Sequence, residues 1–65
     1  MKITLNGTAT EVQSETLAAL LNECGYGGAR VATALNEAFV PTAARPITPL
    51  TDGDRIEIVA PKQGG

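Results

Sequence analysis

The chain closes with Pro61-Lys62-Gln63-Gly64-Gly65, a polar run ending in two residues suited to a narrow channel on another protein. Glycine has no Cβ, so such a backbone can take dihedrals closed to other residues. A carboxylate on Gly65 is ionised at neutral pH. Held beside ATP by an enzyme, it can attack the α-phosphorus and displace pyrophosphate. The product is an acyl-adenylate, a mixed anhydride far more electrophilic than the free acid. A sulfur or nitrogen nucleophile can then displace AMP. This chemistry needs no histidine, metal or cofactor in the chain that carries the carboxylate. Two terminal glycines are also what a frayed end or a cloning scar looks like. The element pattern behind them and a pI near 4.8 favour the handle.

Other residues invite chemical readings that their settings answer. Cys24 is of a type that carries persulfides, yet it continues an apolar stripe of Leu17, Leu20 and Leu21, where a free cysteine acts as a small core residue. Gly25-Tyr26-Gly27-Gly28-Ala29-Arg30 approaches a dinucleotide fingerprint. Its third glycine would have to be at 30, where Arg30 stands, and the segment follows a helix rather than a strand. It reads as a helix exit and loop. Asp52, Asp54, Glu57 and Glu37 resemble an acid/base or metal set, but turn and solvent-facing positions account for each.

Composition narrows the function classes. With 65 residues, no histidine, one cysteine and 18% charged side chains, the chain has room for one small domain and little room for an active-site cavity. The usual general base and the commonest metal ligand are missing, and one cysteine supplies neither a zinc cluster nor a disulfide framework. No metal and no cofactor bound by this chain are expected. A net charge of −2 disfavours nucleic acid and suits a basic partner surface. No apolar run approaches the ~20 residues of a membrane span. The start, Met1-Lys2-Ile3-Thr4-Leu5-Asn6, is too short and polar for a signal peptide. A cytoplasmic folded domain is expected, with no membrane and no nucleic acid as partner.

The elements that would present the tail follow from periodicity. Asn6-Gly7 between two alternating segments is a type I′ hairpin signal. A two-residue loop sets Leu5 opposite Thr8, Ile3 opposite Thr10 and Met1 opposite Val12, with Lys2, Thr4 and Glu11 on the other face. Ser14 is the expected helix N-cap, with Glu15 in the first turn. Leu17, Leu20, Leu21 and Cys24 form one helical stripe, and Gly25 is the C-cap residue. Val31, Thr33 and Leu35 alternate with Ala32, Ala34 and Asn36, and a turn near Asn36-Glu37 leads to the short strand Ala38-Phe39-Val40. Pro41, Pro46 and Pro49 make 41–53 a surface connection pinned by Ile47 and Leu50, closed by the Asp52-Gly53-Asp54 turn. Arg55 to Ala60 is the clearest strand, with Ile56 and Ile58 on one side and Arg55, Glu57 and Val59 on the other.

The order strand, strand, helix, strand, short strand, strand lets one helix cover one face of a mixed sheet. It is the order of the α+β β-grasp, or ubiquitin-like, fold: a mixed sheet of four to five strands packed on one main helix. Residues 1–60 make the β-grasp domain and residues 61–65 a flexible C-terminal tail.

Val31-Ala32-Thr33-Ala34-Leu35-Asn36, Phe39-Val40-Pro41, Gly53-Asp54-Arg55-Ile56-Glu57-Ile58-Val59 and Gln63-Gly64-Gly65 together resemble the sulfur carrier protein family of thiamine biosynthesis (ThiS). The resemblance covers nearly the whole chain. It implies a protein co-substrate, not an enzyme. Gly65 would be adenylated with ATP by an E1-like (ThiF-type) enzyme, converted to a thiocarboxylate with sulfur from a donor such as a cysteine desulfurase, and would pass that sulfur to a ThiG-type thiazole synthase. Lys62, Gln63 and Gly64 would be the segment a partner grips in extended form. Family members often place a basic residue directly after Val-Pro; here Thr42 stands there and the arginine comes at Arg45. Two related destinations share the same tail: a molybdopterin-synthase small subunit and a ubiquitin-like modifier. A non-reactive β-grasp binding module is the alternative of another class.

One helix leaves the second face of the sheet open. Val59, with Ala32 and Ala34, could form an apolar patch there for the adenylating enzyme or the synthase. Phe39 has two readings, as part of that patch or as a core side chain.

Overall fold

The computed structural model describes residues 1–27 and 30–60. Strand β1 (Lys2–Leu5) and strand β2 (Thr8–Glu11) pair antiparallel across Asn6 and Gly7. Both turn residues have positive φ, 49° and 84°, as a type I′ turn requires. The expected register is observed, with Leu5 opposite Thr8 and Ile3 opposite Thr10. Met1 and Val12 extend it by exchanging two hydrogen bonds of 2.8 and 2.9 Å. Ile3 and Val12 are buried while Lys2 and Glu11 are exposed.

Helix α1 (Leu17–Glu23) begins later than the sequence reading has it. Its N-cap is Thr16, whose Oγ1 accepts from the Ala19 N–H at 3.2 Å; Ser14 is not the cap, and Glu15 precedes the helix instead of occupying its first turn. The reason is tertiary. Leu50 N–H donates to the Glu15 carbonyl and Leu17 N–H to the Thr48 carbonyl, both at 2.9 Å. These bonds hold Thr16 extended at φ −129°, ψ 161°, so helical dihedrals cannot start before Leu17. Leu17, Leu20 and Leu21 are buried as expected. At the other end Gly25 (φ 88°) donates to the Asn22 carbonyl and Tyr26 to the Leu21 carbonyl, the paired bonds of a Schellman cap.

Strands β3 (Ala32–Leu35) and β4 (Ala38–Val40) form a second hairpin around Asn36 and Glu37, again with positive φ at both, 51° and 74°. Strand β5 (Arg55–Val59) runs parallel to β1 and antiparallel to β3. The sheet order is β2-β1-β5-β3-β4, so the strand nearest the C-terminal run is central. This is the expected α+β arrangement, a mixed five-stranded sheet with one main helix.

The proline-rich connection holds a 3-10 helix over Thr42–Ile47. Leu50 is buried, but Ile47 is 81% exposed and does not pin the segment. Arg45 does, at 8% exposure. Two residues on a helix of three per turn face different ways, and the inward direction falls to Arg45. Its Nε donates to Thr33 Oγ1 at 3.0 Å and its Nη2 to the Val31 carbonyl at 2.6 Å. Ile56 and Ile58 of β5 join the α1 leucines and Leu50 in a single core on one side of the sheet. The opposite side faces solvent.

Candidate functional site

On the open side, β5 directs Arg55, Glu57 and Val59 outward while Ile56 and Ile58 point into the core. Registers align the neighbours. Ala34 lies opposite both Phe39 and Glu57, and Ala32 lies opposite Val59. Glu57, Ala34 and Phe39 therefore form one cross-strand row. Val59 and Ala32 form the next, one residue before Ala60.

Phe39 is 70% and Val59 64% exposed, so Phe39 is not a core residue. Strand alternation decides this. Val40, one residue on, is buried opposite Thr33, and the Thr33 hydroxyl donates to the Val40 carbonyl at 2.8 Å. With Val40 committed inward, Phe39 must point out. The alanines beside it keep the surface low, so two large apolar side chains stand above a flat floor. Arg30, Val31, Ala32, Val59 and Ala60 line a shallow groove at the β5 end of this patch. Lys62, Gln63, Gly64 and Gly65 lie outside the described residues.

The remaining candidates divide by setting. Cys24 is half-buried against the core, and burial, aided by the neighbouring Glu23 carboxylate, pushes its thiol up from the ordinary value. A raised thiol holds less thiolate at neutral pH, which suits packing better than sulfur transfer. Of the four acidic residues, Glu57 is exposed on the open side and the other three are spent on structure. Asp52 Oδ1 accepts from the Lys2 N–H at 2.8 Å, and Glu37 pairs with Arg55 at 3.2 Å. Asp54 accepts from Asn36 Nδ2 at 3.0 Å and from the Thr51 N–H at 2.7 Å. The Asn36 donor, with Thr51, holds its carboxyl below the usual range against the opposing effect of burial. Among the described residues no cluster of three or more His, Cys, Asp or Glu side chains could hold a metal ion. None of their helices is long and apolar enough to cross a membrane.

Two roles lay outside the sequence reading. Arg45 is an internal tie, not a surface charge. Asn6 and Asn36, read as turn formers, also use their side chains on β5: Asn36 Oδ1 accepts from the Arg55 N–H at 2.9 Å and Asn6 Oδ1 from the Ile58 N–H at 2.8 Å. The one signal available beforehand is the shared Leu-Asn dipeptide ahead of each turn.

The sequence pattern of the ThiS family matches residues 3–65. The chain belongs to the ThiS family. A relative named sulfur carrier protein ThiS, from Thermus thermophilus, is 41% identical over 61 residues, covering 94% of this chain and 95% of that protein. The crystal structure of the thiamine biosynthesis protein (ThiS) from Geobacter metallireducens superposes with a TM-score of 0.82 at 29% identity, covering all of both chains. The β-grasp order read from the sequence is thus the ThiS fold. The family match also extends through Gln63-Gly64-Gly65, the residues that follow the exposed face.

Proposed function

We propose that this chain is a sulfur carrier of thiamine biosynthesis, a cytoplasmic protein co-substrate that enzymes act upon and not itself an enzyme. The Gly65 carboxylate attacks the α-phosphorus of ATP on an E1-like, ThiF-type enzyme, and pyrophosphate leaves. A persulfide sulfur, supplied by a donor such as a cysteine desulfurase, attacks the adenylated carbonyl and AMP leaves. A thiol then reduces the resulting acyl disulfide, freeing the thiocarboxylate that delivers sulfur to a ThiG-type thiazole synthase. ATP is bound by the partner, and this chain needs no cofactor of its own.

The observation that carries this reading is the ThiS family match running through Gly65. The geometry supports a division of labour. Phe39 and Val59 stand exposed above Ala32 and Ala34 and offer a partner an apolar footing. Lys62, Gln63 and Gly64 would be gripped beyond it, bringing Gly65 to the nucleotide. Glycine backbone suits that grip because the lack of a Cβ lets a channel close tightly around it.

Intact-mass measurement after incubation with ATP, the adenylating enzyme and a sulfur donor tests the proposal. Replacement of one oxygen by sulfur at the C-terminus is expected, and an unchanged mass with active partners would sink it. Removing Gly64 and Gly65 should abolish transfer; function that survives this removal belongs to a non-reactive binding module. Rescue of a thiamine auxotroph separates the thiazole pathway from a molybdopterin-synthase subunit or a protein modifier.

A further inference from the structure

Strand β5 is held at its two ends by asparagine side chains from the two hairpin turns. At its start, Asn36 accepts from the Arg55 N–H and donates to Asp54 Oδ1. Toward its end, Asn6 takes over from β1. The β1 backbone cannot follow β5 past Leu5, because the chain turns away at Asn6 with φ 49°. The Asn6 N–H still reaches the Ile56 carbonyl at 2.9 Å. Its side chain then stands in for the missing strand: Oδ1 accepts from the Ile58 N–H at 2.8 Å and Nδ2 donates to the Ile58 carbonyl at 3.2 Å. A primary amide offers a donor and an acceptor side by side, as a peptide group does.

Ile58 is two residues before Ala60 and adjacent to Val59 in the exposed patch. We propose that Asn6 is a positioning residue for the Gly65 chemistry, fixing the last core-anchored peptide of β5 and with it the exposed Val59 and Ala60 that follow it beside the Phe39 patch. This rests on the proposed role of Gly65. The patch sets how tightly a partner holds the domain. The hold on Ile58, and through it on Val59 and Ala60, sets how often the docked carboxylate meets ATP. Loosening Ile58 should therefore lower kcat and spare KM.

Asn6→Gly tests this, since glycine keeps the positive φ of the turn and removes both side-chain bonds. Asn36→Gly is the matched control at the far end of the strand, also at positive φ. Amide exchange at Ile58 and steady-state adenylation kinetics are measured on both. Asn6→Gly should lose protection at Ile58 and lower kcat roughly tenfold, with KM for the carrier within about twofold. Asn36→Gly should lose stability comparably and keep its kcat. In Asn6→Asp, a neutral-pH carboxylate faces the Ile58 carbonyl with no donor. Protonation restores the donor, so the deficit in Ile58 protection relative to the unsubstituted chain should close as the pH falls through that carboxyl's pKa. An equal kcat loss in both glycine variants, an unchanged kcat in Asn6→Gly, or an effect confined to KM would each overturn the inference. An unsubstituted chain that the enzyme fails to adenylate would overturn the functional reading and this inference with it.

Discussion

Arg45 and Thr33 are joined by a buried hydrogen bond of 3.0 Å from Nε to Oγ1. The threonine hydroxyl passes the connection on to the Val40 carbonyl, and Arg45 Nη2 holds the Val31 carbonyl. A side chain of the 3-10 helix thereby ties together both strands of the β3–β4 hairpin, which carries Ala32, Ala34 and Phe39.

Removing the guanidinium leaves the half-buried Val31 carbonyl and the buried Thr33 hydroxyl each short of one partner. Arg45→Met should therefore lower unfolding free energy by about 2 to 3 kcal/mol in urea titration, given the usual worth of hydrogen bonds from charged donors. Arg45→Lys should recover only part of this, because an ammonium lacks the planar fork that reaches both acceptors. An Arg45→Met variant as stable as the parent would show the tie to be idle.

Stability should fall in acid through Glu23. Its carboxylate accepts from the Ser14 hydroxyl, the Gln13 N–H and the Ser14 N–H, and the Ser14 hydroxyl with these backbone donors holds its pKa below the ordinary value. A folded pKa below the unfolded one gives stabilisation that is fully present above the unfolded value and lost as pH falls through the folded value. Asp54 acts in the same direction through Asn36. Melting temperature should be level from neutral pH to somewhat above the ordinary carboxylate values and then drop. Combining Glu23→Gln with Asp54→Asn should flatten that drop, and an equally steep one would refute the assignment.

The helix start can be checked by exchange of caps. Thr16→Ala should cost about 1 kcal/mol and Thr16→Ser almost nothing, because only the hydroxyl acceptor for the Ala19 N–H is at stake. If calorimetry shows Thr16→Ala to be neutral, Thr16 is not the working cap.

Phe39→Ala should leave folding stability within about 0.5 kcal/mol, since an exposed side chain contributes little to the core. The same change should weaken binding to the proposed adenylating enzyme by roughly tenfold, as loss of an exposed aromatic anchor does. Titration calorimetry gives the second quantity and urea unfolding the first. A folded variant that binds its partner normally would remove Phe39 from the docking surface.

The local vocabulary of the fold was legible in the sequence. Asn6-Gly7 specified a hairpin and its register, because few residues tolerate positive φ and a two-residue loop leaves one pairing. The leucine stripe, Gly25 and the alternation from Arg55 onward named the helix, its end and the last strand. The Gly64-Gly65 pair suggested the chemistry proposed for this chain, since that proposal depends on residue type.

Only tertiary structure decided the rest. Ser14 and Thr16 are both competent caps, and the choice between them was made by hydrogen bonds from Leu50 to Glu15 and from Leu17 to Thr48, partners far apart in sequence. Ile47 looked like an anchor by hydrophobicity, yet the inward direction of the 3-10 helix went to Arg45, whose acceptors, the Thr33 hydroxyl and the Val31 carbonyl, lie on and just before β3. Phe39 could be assigned to the open face only once Val40 was known to pair inward with Thr33. The side-chain hold of Asn6 on Ile58 spans 52 positions of the chain. Sequence thus determined what each segment could be by itself, through dihedral preference and periodicity. Folding determined which buried donors met which acceptors, because that depends on distances that exist only when the sheet has closed around β5.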